Sequence, residues 1–390
     1  MNKRYLMAPG PVSVAPEVLA KMSEPIIHHR SPQFSAILTR VREDLKYLYQ
    51  TKNDCLILAS SGTGGMEASV VNLLSSGDKA LVIRGGKFGE RWDELCSTYG
   101  VKAVNIDVTW GKAVDPQEVK KALDANPDAK AVFVQAHETS TGVKHPVEEL
   151  GKLVRERPDT VLVVDAISAL GVYELKTDDW GLDVVITGSQ KSLSLPPGLA
   201  FVSVSEKAWK LVEKAQLPKY YFNFLKEKKA LEKQTTAFTP AVSLIIGLAE
   251  VLRGIRATGL PALFVHHRRL SEGTKAGVTA MGLGFFSTVP SEAITVIKAP
   301  EKIDAQNVVK ILRDEYGITI AGGQAQAKGK IFRISHMGHL DEWDMIIALA
   351  AVERALNQLG YPIELGKGVA AAEAYFAQNK EREINKLNKN

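Results

Sequence analysis

Through the first two thirds of the chain, short unbroken apolar runs alternate with longer stretches whose apolar positions recur at helical spacing. The runs are CLILAS (55–60), KALVIR (79–84), KAVNID (102–107), KAVFVQ (130–135), TVLVVD (160–165), DVVITG (183–188) and LAFVSV (199–204). Their shortness and their Val and Ile content predict buried strands. Helices are predicted between them over 32–49, 65–74, 88–99, 116–123 and 146–156. Strands alternating with helices predict crossover units, and so an α/β fold with a mainly parallel sheet covered on both faces.

After residue 205 the rhythm changes. A Lys-rich aromatic segment (219–233) leads into a helix from about Pro240 through LIIGLAEVLRGI, and a second helix follows Gly259 and Pro261. Then come AITVIK (293–298), a helix over 304–316, ITIAGG (318–323), KIFRIS (330–335) and a helix over 341–359. This is a smaller α+β set. The division is an N-terminal segment, 1–15, a large domain, 16–258, a small C-terminal domain, 259–378, and a tail, 379–390, predicted to fray.

Composition narrows the function classes. The chain has 390 residues, 45% hydrophobic and 24% charged, which suits a soluble protein of two or three domains. Lys and Arg number 49 against 44 Asp and Glu, and no basic stripe interleaved with aromatics predicts a nucleic-acid partner. No apolar run approaches a membrane helix, and MNKRYLMAPGPV carries no signal-peptide core. Cys55 and Cys96 are too few and too far apart for a disulfide framework, a zinc knuckle or an iron–sulfur cluster. A cytoplasmic protein without a metal site is expected.

Four features point to chemistry. SSGTGGMEA (60–68) follows a strand and opens a helix, so its glycines allow a tight turn whose N–H groups suit an anion; close packing is the other explanation. Asp165 closes a very apolar strand, at the sheet edge where ligands of open parallel sheets bind, or else caps a helix. Lys191 stands in GSQKSLSLPPGLAF, a stretch otherwise free of charge, where desolvation favours the neutral, nucleophilic amine. Arg333 interrupts the strand KIFRIS, as half of an internal ion pair or as a fork for a ligand carboxylate. In this order the four match the needs of pyridoxal phosphate: its phosphate, ring nitrogen and aldehyde.

The motifs APGP, HHRSPQF, SGTGGMEA, ETSTGV, VVDAISALG, GSQKSLSLPPGLAF, FTPAV and KIFRISHMG together resemble class V aminotransferases, most closely those acting between alanine or serine and glyoxylate or pyruvate. The resemblance runs from residue 7 to about 360. It implies fold type I of the pyridoxal phosphate enzymes, a large domain with a mainly parallel mixed sheet flanked by helices plus a smaller α+β domain, and a homodimer with shared active sites. Carried over, Lys191 is the lysine that condenses with the aldehyde and shuttles the proton, and Asp165 the ring-nitrogen partner. Thr63, Gly64, Gly65 and Gln190 match phosphate contacts, Thr139 the hydroxyl beside the ring, and Phe88 the stacking aromatic. Arg333 matches the α-carboxylate arginine, and Thr239 a phosphate contact donated by the partner subunit. Arg30 sits near the site's mouth, against a substrate or in a solvated loop, while His137 is expected to be structural. Some relatives carry Trp at Phe88, His at Gly65, and Tyr where this chain has Thr236.

The implied reaction moves an amino group from serine or alanine to glyoxylate or pyruvate, by a ping-pong route. The alternatives are a phosphonate or phosphorylated amine as substrate, a class V lyase, and, from another class, a non-redox partner subunit of a hydrogenase-like complex. A desulfurase is disfavoured because both cysteines precede residue 100.

Overall fold

A computed structural model describes residues 3–387, with side chains to 378. Seven strands form one sheet: β1 (Cys55–Leu58), β2 (Lys79–Arg84), β3 (Lys102–Asp107), β4 (Ala131–Gln135), β5 (Val161–Asp165), β6 (Val184–Gly188) and β7 (Ala200–Val204). Their order is β1-β7-β6-β5-β4-β2-β3, and only β7 runs against its neighbours. Strands β4, β5, β6 and β7 are buried along their whole length because helices cover both faces. Edge strand β3 turns Lys102, Asn105 and Asp107 to solvent, which blunts its unpaired side.

Because β7 is reversed, β1 lies parallel to β6 although the two are not neighbours. Leu58 and Gly188 both pair with Ala200, Asp165 pairs with Ile186, and Gln135 pairs with Asp165. Four strand ends therefore deliver their following loops to one edge, where open parallel sheets collect ligands.

The Gly62–Leu73 helix starts three residues before the predicted 65, so the Gly-rich cup is the helix's own first turn. A Cβ at Gly65 would lie 2.7 Å from Ile186 Cγ2, so glycine here lets the helix sit close on β6. ITIAGG, read as one strand, divides at Ile320. Ile318–Thr319 pairs in parallel with Tyr5–Leu6, whereas Ala321–Gly322 joins Ile331–Ser335 and Ile294–Lys298 in a three-stranded antiparallel sheet.

That small sheet has two apolar faces. Phe332 and Ile334 pack among Leu270, Met345 and Leu349 of the C-terminal helices, while Ile331 and Val296 belong to the core of the large sheet. Side chains alternate along a strand, so Arg333 shares the face of Ile331 and is turned toward the large unit. The helices Val242–Thr258 and Leu260–Ala280 break at Gly259, with φ 82°. The expected tail falls partly within a last helix, Lys367–Leu387, and residues 388–390 lie outside the described residues.

Candidate active site

Asp165 ends β5 with its side chain buried and accepts a hydrogen bond from Ile167 N–H at 2.9 Å. Burial pushes the carboxyl up to about 7, and the nearby Glu138 adds to this against Arg91 and Lys191. Three residues beyond β6, Lys191 donates from Nζ to the carbonyl of Pro9, so the N-terminal segment lies directly over it. A Cβ at Gly10 would stand 2.5 Å from this Nζ. Burial pushes the ammonium down to about 8, with Arg333 and Arg91 helping and Asp165 opposing. Both groups line one pocket, together with Thr63, Phe88, Thr139 and Gln190.

Gly62 and Thr63 form one wall, at the start of a helix whose first N–H groups have no intrahelical acceptor. Beside them Gln190 Oε1 is buried without a hydrogen-bond partner. Phe88 is N2 of the Lys87–Thr98 helix, and Glu138 reaches from another loop to cap this helix. The Glu138 carboxylate accepts from Phe88 N–H at 3.1 Å and Gly89 N–H at 2.9 Å, which offsets part of its desolvation. Three residues after Phe88, Arg91 reaches back over its ring, 4.9 Å from the centroid, and donates from Nη1 to Thr63 Oγ1 at 3.1 Å.

Thr139 Oγ1 and Ser168 Oγ are 2.5 Å apart, and Ser168 Oγ is 3.0 Å from Nδ1 of the buried His137. Burial holds the His137 imidazole down at about 3, so it is neutral. Behind Thr139, Arg333 is 4% exposed, yet its guanidinium bonds only carbonyls: Gly322 from Nε at 3.1 Å and Nη2 at 2.7 Å, and Thr139 from Nη1 at 2.9 Å. A buried guanidinium without a hydrogen-bonded carboxylate favours an anionic ligand. Burial lowers even this group, to about 10.

Of the residues singled out from sequence, Thr63, Phe88, Thr139, Asp165, Gln190 and Lys191 line one pocket, with Arg333 at its back. Gly64 and Gly65 do not line it. A Cβ on Gly64 would run into Ser60 and Phe222, so both glycines serve close packing around the turn. Thr239 lines a different crevice with Phe238 and Tyr221, and Arg30 is exposed in the turn before the Pro32–Tyr49 helix. Sequence reading missed Arg91 and Ser168, which stand three residues after Phe88 and Asp165, each already noted.

These donors fit pyridoxal phosphate. The Gln190 side-chain amide, which carries two N–H donors, and a helix N-terminus flank one side of the pocket, a low-pKa amine stands beside a high-pKa carboxyl, and two guanidiniums lack hydrogen-bonded carboxylate partners.

Known proteins give the same direction. The profile of the family described as Aminotransferase class-V matches residues 4–340. The chain is 43% identical, over 95% of its length and 98% of the relative's, to a protein of Synechococcus sp. (strain PCC 6716) called the small subunit of a soluble hydrogenase. It is 35% identical, over 97% of both chains, to the L-aspartate–glyoxylate aminotransferase of Paracoccus denitrificans. Among solved structures, the ureidoglycine–glyoxylate aminotransferase of Bacillus subtilis superposes with a TM-score of 0.92 at 31% identity, covering 97% of this chain and 99% of that one.

Proposed function

The chain belongs to the class V aminotransferase family, and from this we propose that it is a pyridoxal 5'-phosphate enzyme transferring the amino group of serine or alanine to glyoxylate or pyruvate. What carries the proposal is the buried Lys191–Asp165 pair at one sheet edge, an amine lowered to about 8 beside a carboxyl raised to about 7. When bound, the cofactor supplies an aldehyde that condenses with amines and a ring that takes up electrons.

Lys191 would hold that aldehyde through Nζ, and its free amine would be the base that takes the proton from the substrate Cα. An amine with a pKa near 8 is well suited to this at neutral pH. Asp165 holds a proton on the ring nitrogen. Thr63, Gln190 and the first turn of the Gly62–Leu73 helix take the phosphate, with Gly64 and Gly65 allowing that turn. Phe88 would lie against the ring and Thr139 would offer its hydroxyl to it. Arg333 receives the α-carboxylate as a bidentate fork and so fixes the Cα–H direction. The acceptor step uses the same groups in reverse order.

Thr239 points to a homodimer: it lies outside its own chain's pocket, beside the exposed Tyr220 and Tyr221, and we assign it to the neighbouring copy's phosphate. We assign Arg30, exposed in the turn before a helix, to the mouth of that same shared groove. Two free, buried thiols, Cys55 and Cys96, suit a reducing, cytoplasmic setting.

Reconstitution of the purified protein with pyridoxal phosphate tests the reading. The wild type is expected to develop a visible band that serine or alanine bleaches and glyoxylate restores, while Lys191→Ala stays colourless. A wild type that remains colourless overturns it. The hydrogenase relative supports a second reading, in which this enzyme also accompanies a redox complex; copurification with hydrogenase activity from the native organism would support it.

A further inference from the structure

The pocket holds one cation more than the roles above use. Six arginines with described side chains are buried or half-buried: Arg42, Arg84, Arg91, Arg157, Arg269 and Arg333. Arg42 pairs with Asp54, Arg84 with Asp93 and Asp107, Arg157 with Asp124, and Arg269 with Glu342. Among the described residues, Arg91 and Arg333 pair with no carboxylate, and these are the two at the pocket. A partly desolvated guanidinium with no carboxylate in hydrogen-bond reach is open to an anionic ligand. Arg333 bonds the Thr139 carbonyl and Arg91 the Thr63 hydroxyl, on different elements of the pocket wall.

We propose that Arg91 is the counter-cation of the cofactor phosphate. This rests on the reading of the pocket as a pyridoxal phosphate site and deepens it. Arg91 grips Thr63, the side chain at the N2 position of the Gly62–Leu73 helix, and so stands where that helix end already favours negative charge. Helix amides and Gln190 offer hydrogen bonds but no full charge, and a phosphate dianion in a closed pocket needs one. The Phe88 ring centroid lies 4.9 Å from the guanidinium carbon, and the Thr63 contact uses one of five N–H donors, so others remain for phosphate oxygens. With Arg91 committed to the phosphate, Arg333 remains as the chain's own fork in the pocket for a substrate carboxylate. That matches a small monocarboxylic donor better than a dicarboxylic one.

The test is a four-way comparison of equilibrium binding, wild type and Arg91→Gln each with pyridoxal phosphate and with pyridoxal, read from the visible band on apoenzyme. The substitution is expected to weaken pyridoxal phosphate by ~10-fold or more, the loss of a charge-assisted pair, and pyridoxal by less than about 2-fold. Arg91→Lys is expected to restore part of the loss as a point charge. Equal weakening of both ligands would overturn the proposal by making Arg91 a brace for Phe88. Unchanged cofactor binding with a raised KM for aspartate but not for serine would overturn it by making Arg91 a side-chain carboxylate reader. Absence of a band in the wild type itself would instead defeat the underlying cofactor reading.

Discussion

Arg333 shows how a single side chain is prepared for a ligand by what it does not touch. Carbonyls of Gly322 and Thr139 hold its guanidinium in place without neutralising it, which supports the α-carboxylate role proposed for it. Arg333→Gln is therefore expected to raise KM for every amino donor by ~10-fold or more while cofactor binding stays intact; an unchanged KM across donors would remove Arg333 from the site. His267 makes a separate, structural prediction. It is buried with Nδ1 on the His336 carbonyl, and burial lowers it from 6.5 to about 3. Between those values the unfolded chain binds the extra proton, so the stability from neutral His267 is complete above pH 6.5 and is lost as pH falls toward 3. The stability gap between wild type and His267→Asn should shrink by up to about 1.4 kcal/mol per pH unit below that point, in urea melts at stepped pH. A constant gap would mean that His267 titrates normally. Lys191 and Asp165 were legible in the sequence because each is a charge in an apolar setting. Arg91 was not: on an amphipathic helix beside Glu90 it reads as a solvated surface residue, and only the fold turns that position toward Thr63.

At the scale of elements, the strands were legible because each is an unbroken apolar run, and the departures arise where tertiary pairing overrides local pattern. ITIAGG reads as one strand, yet Ile318–Thr319 is claimed by the N-terminal segment and Ala321–Gly322 by Ile331–Ser335. The same N-terminal segment continues to Pro9 and Gly10 above Lys191, a contact across more than 180 residues that periodicity cannot reveal. Gly10 has φ +123°, where L side chains are strained, and an added Cβ would press on the amine. Gly10→Ala should thus slow the appearance of the visible band with pyridoxal phosphate by ~10-fold or more, the scale of a misplaced reacting group. Unchanged kinetics would mean that this segment does not constrain Lys191. The start of the Gly62–Leu73 helix was misjudged by three residues because glycines argue against helix interiors, whereas here Gly65 is needed for contact with Ile186.

For the whole molecule, two apolar cores meet at the small sheet, one face on each, and the groups proposed to be active come from both sides: Lys191 and Asp165 follow strands of the large sheet, and Arg333 stands on the small one. The α/β class followed from alternation alone, but the antiparallel β7 that brings β1 and β6 into common direction did not, because a strand's direction leaves no trace in its composition. If Thr239 completes the neighbouring site, mixing Lys191→Ala with Thr239→Val subunits should recover activity that neither has alone, since one site per hybrid is then wild type; no recovery on subunit exchange would confine each site to one chain. Transfer of an amino group is followed through its nitrogen. With α-15N-serine or α-15N-alanine and glyoxylate, the wild type is expected to place the label in glycine, one 2-oxo acid appearing per glycine formed, and Lys191→Ala to place none. Label released as ammonia, or left in the donor, would contradict an aminotransferase.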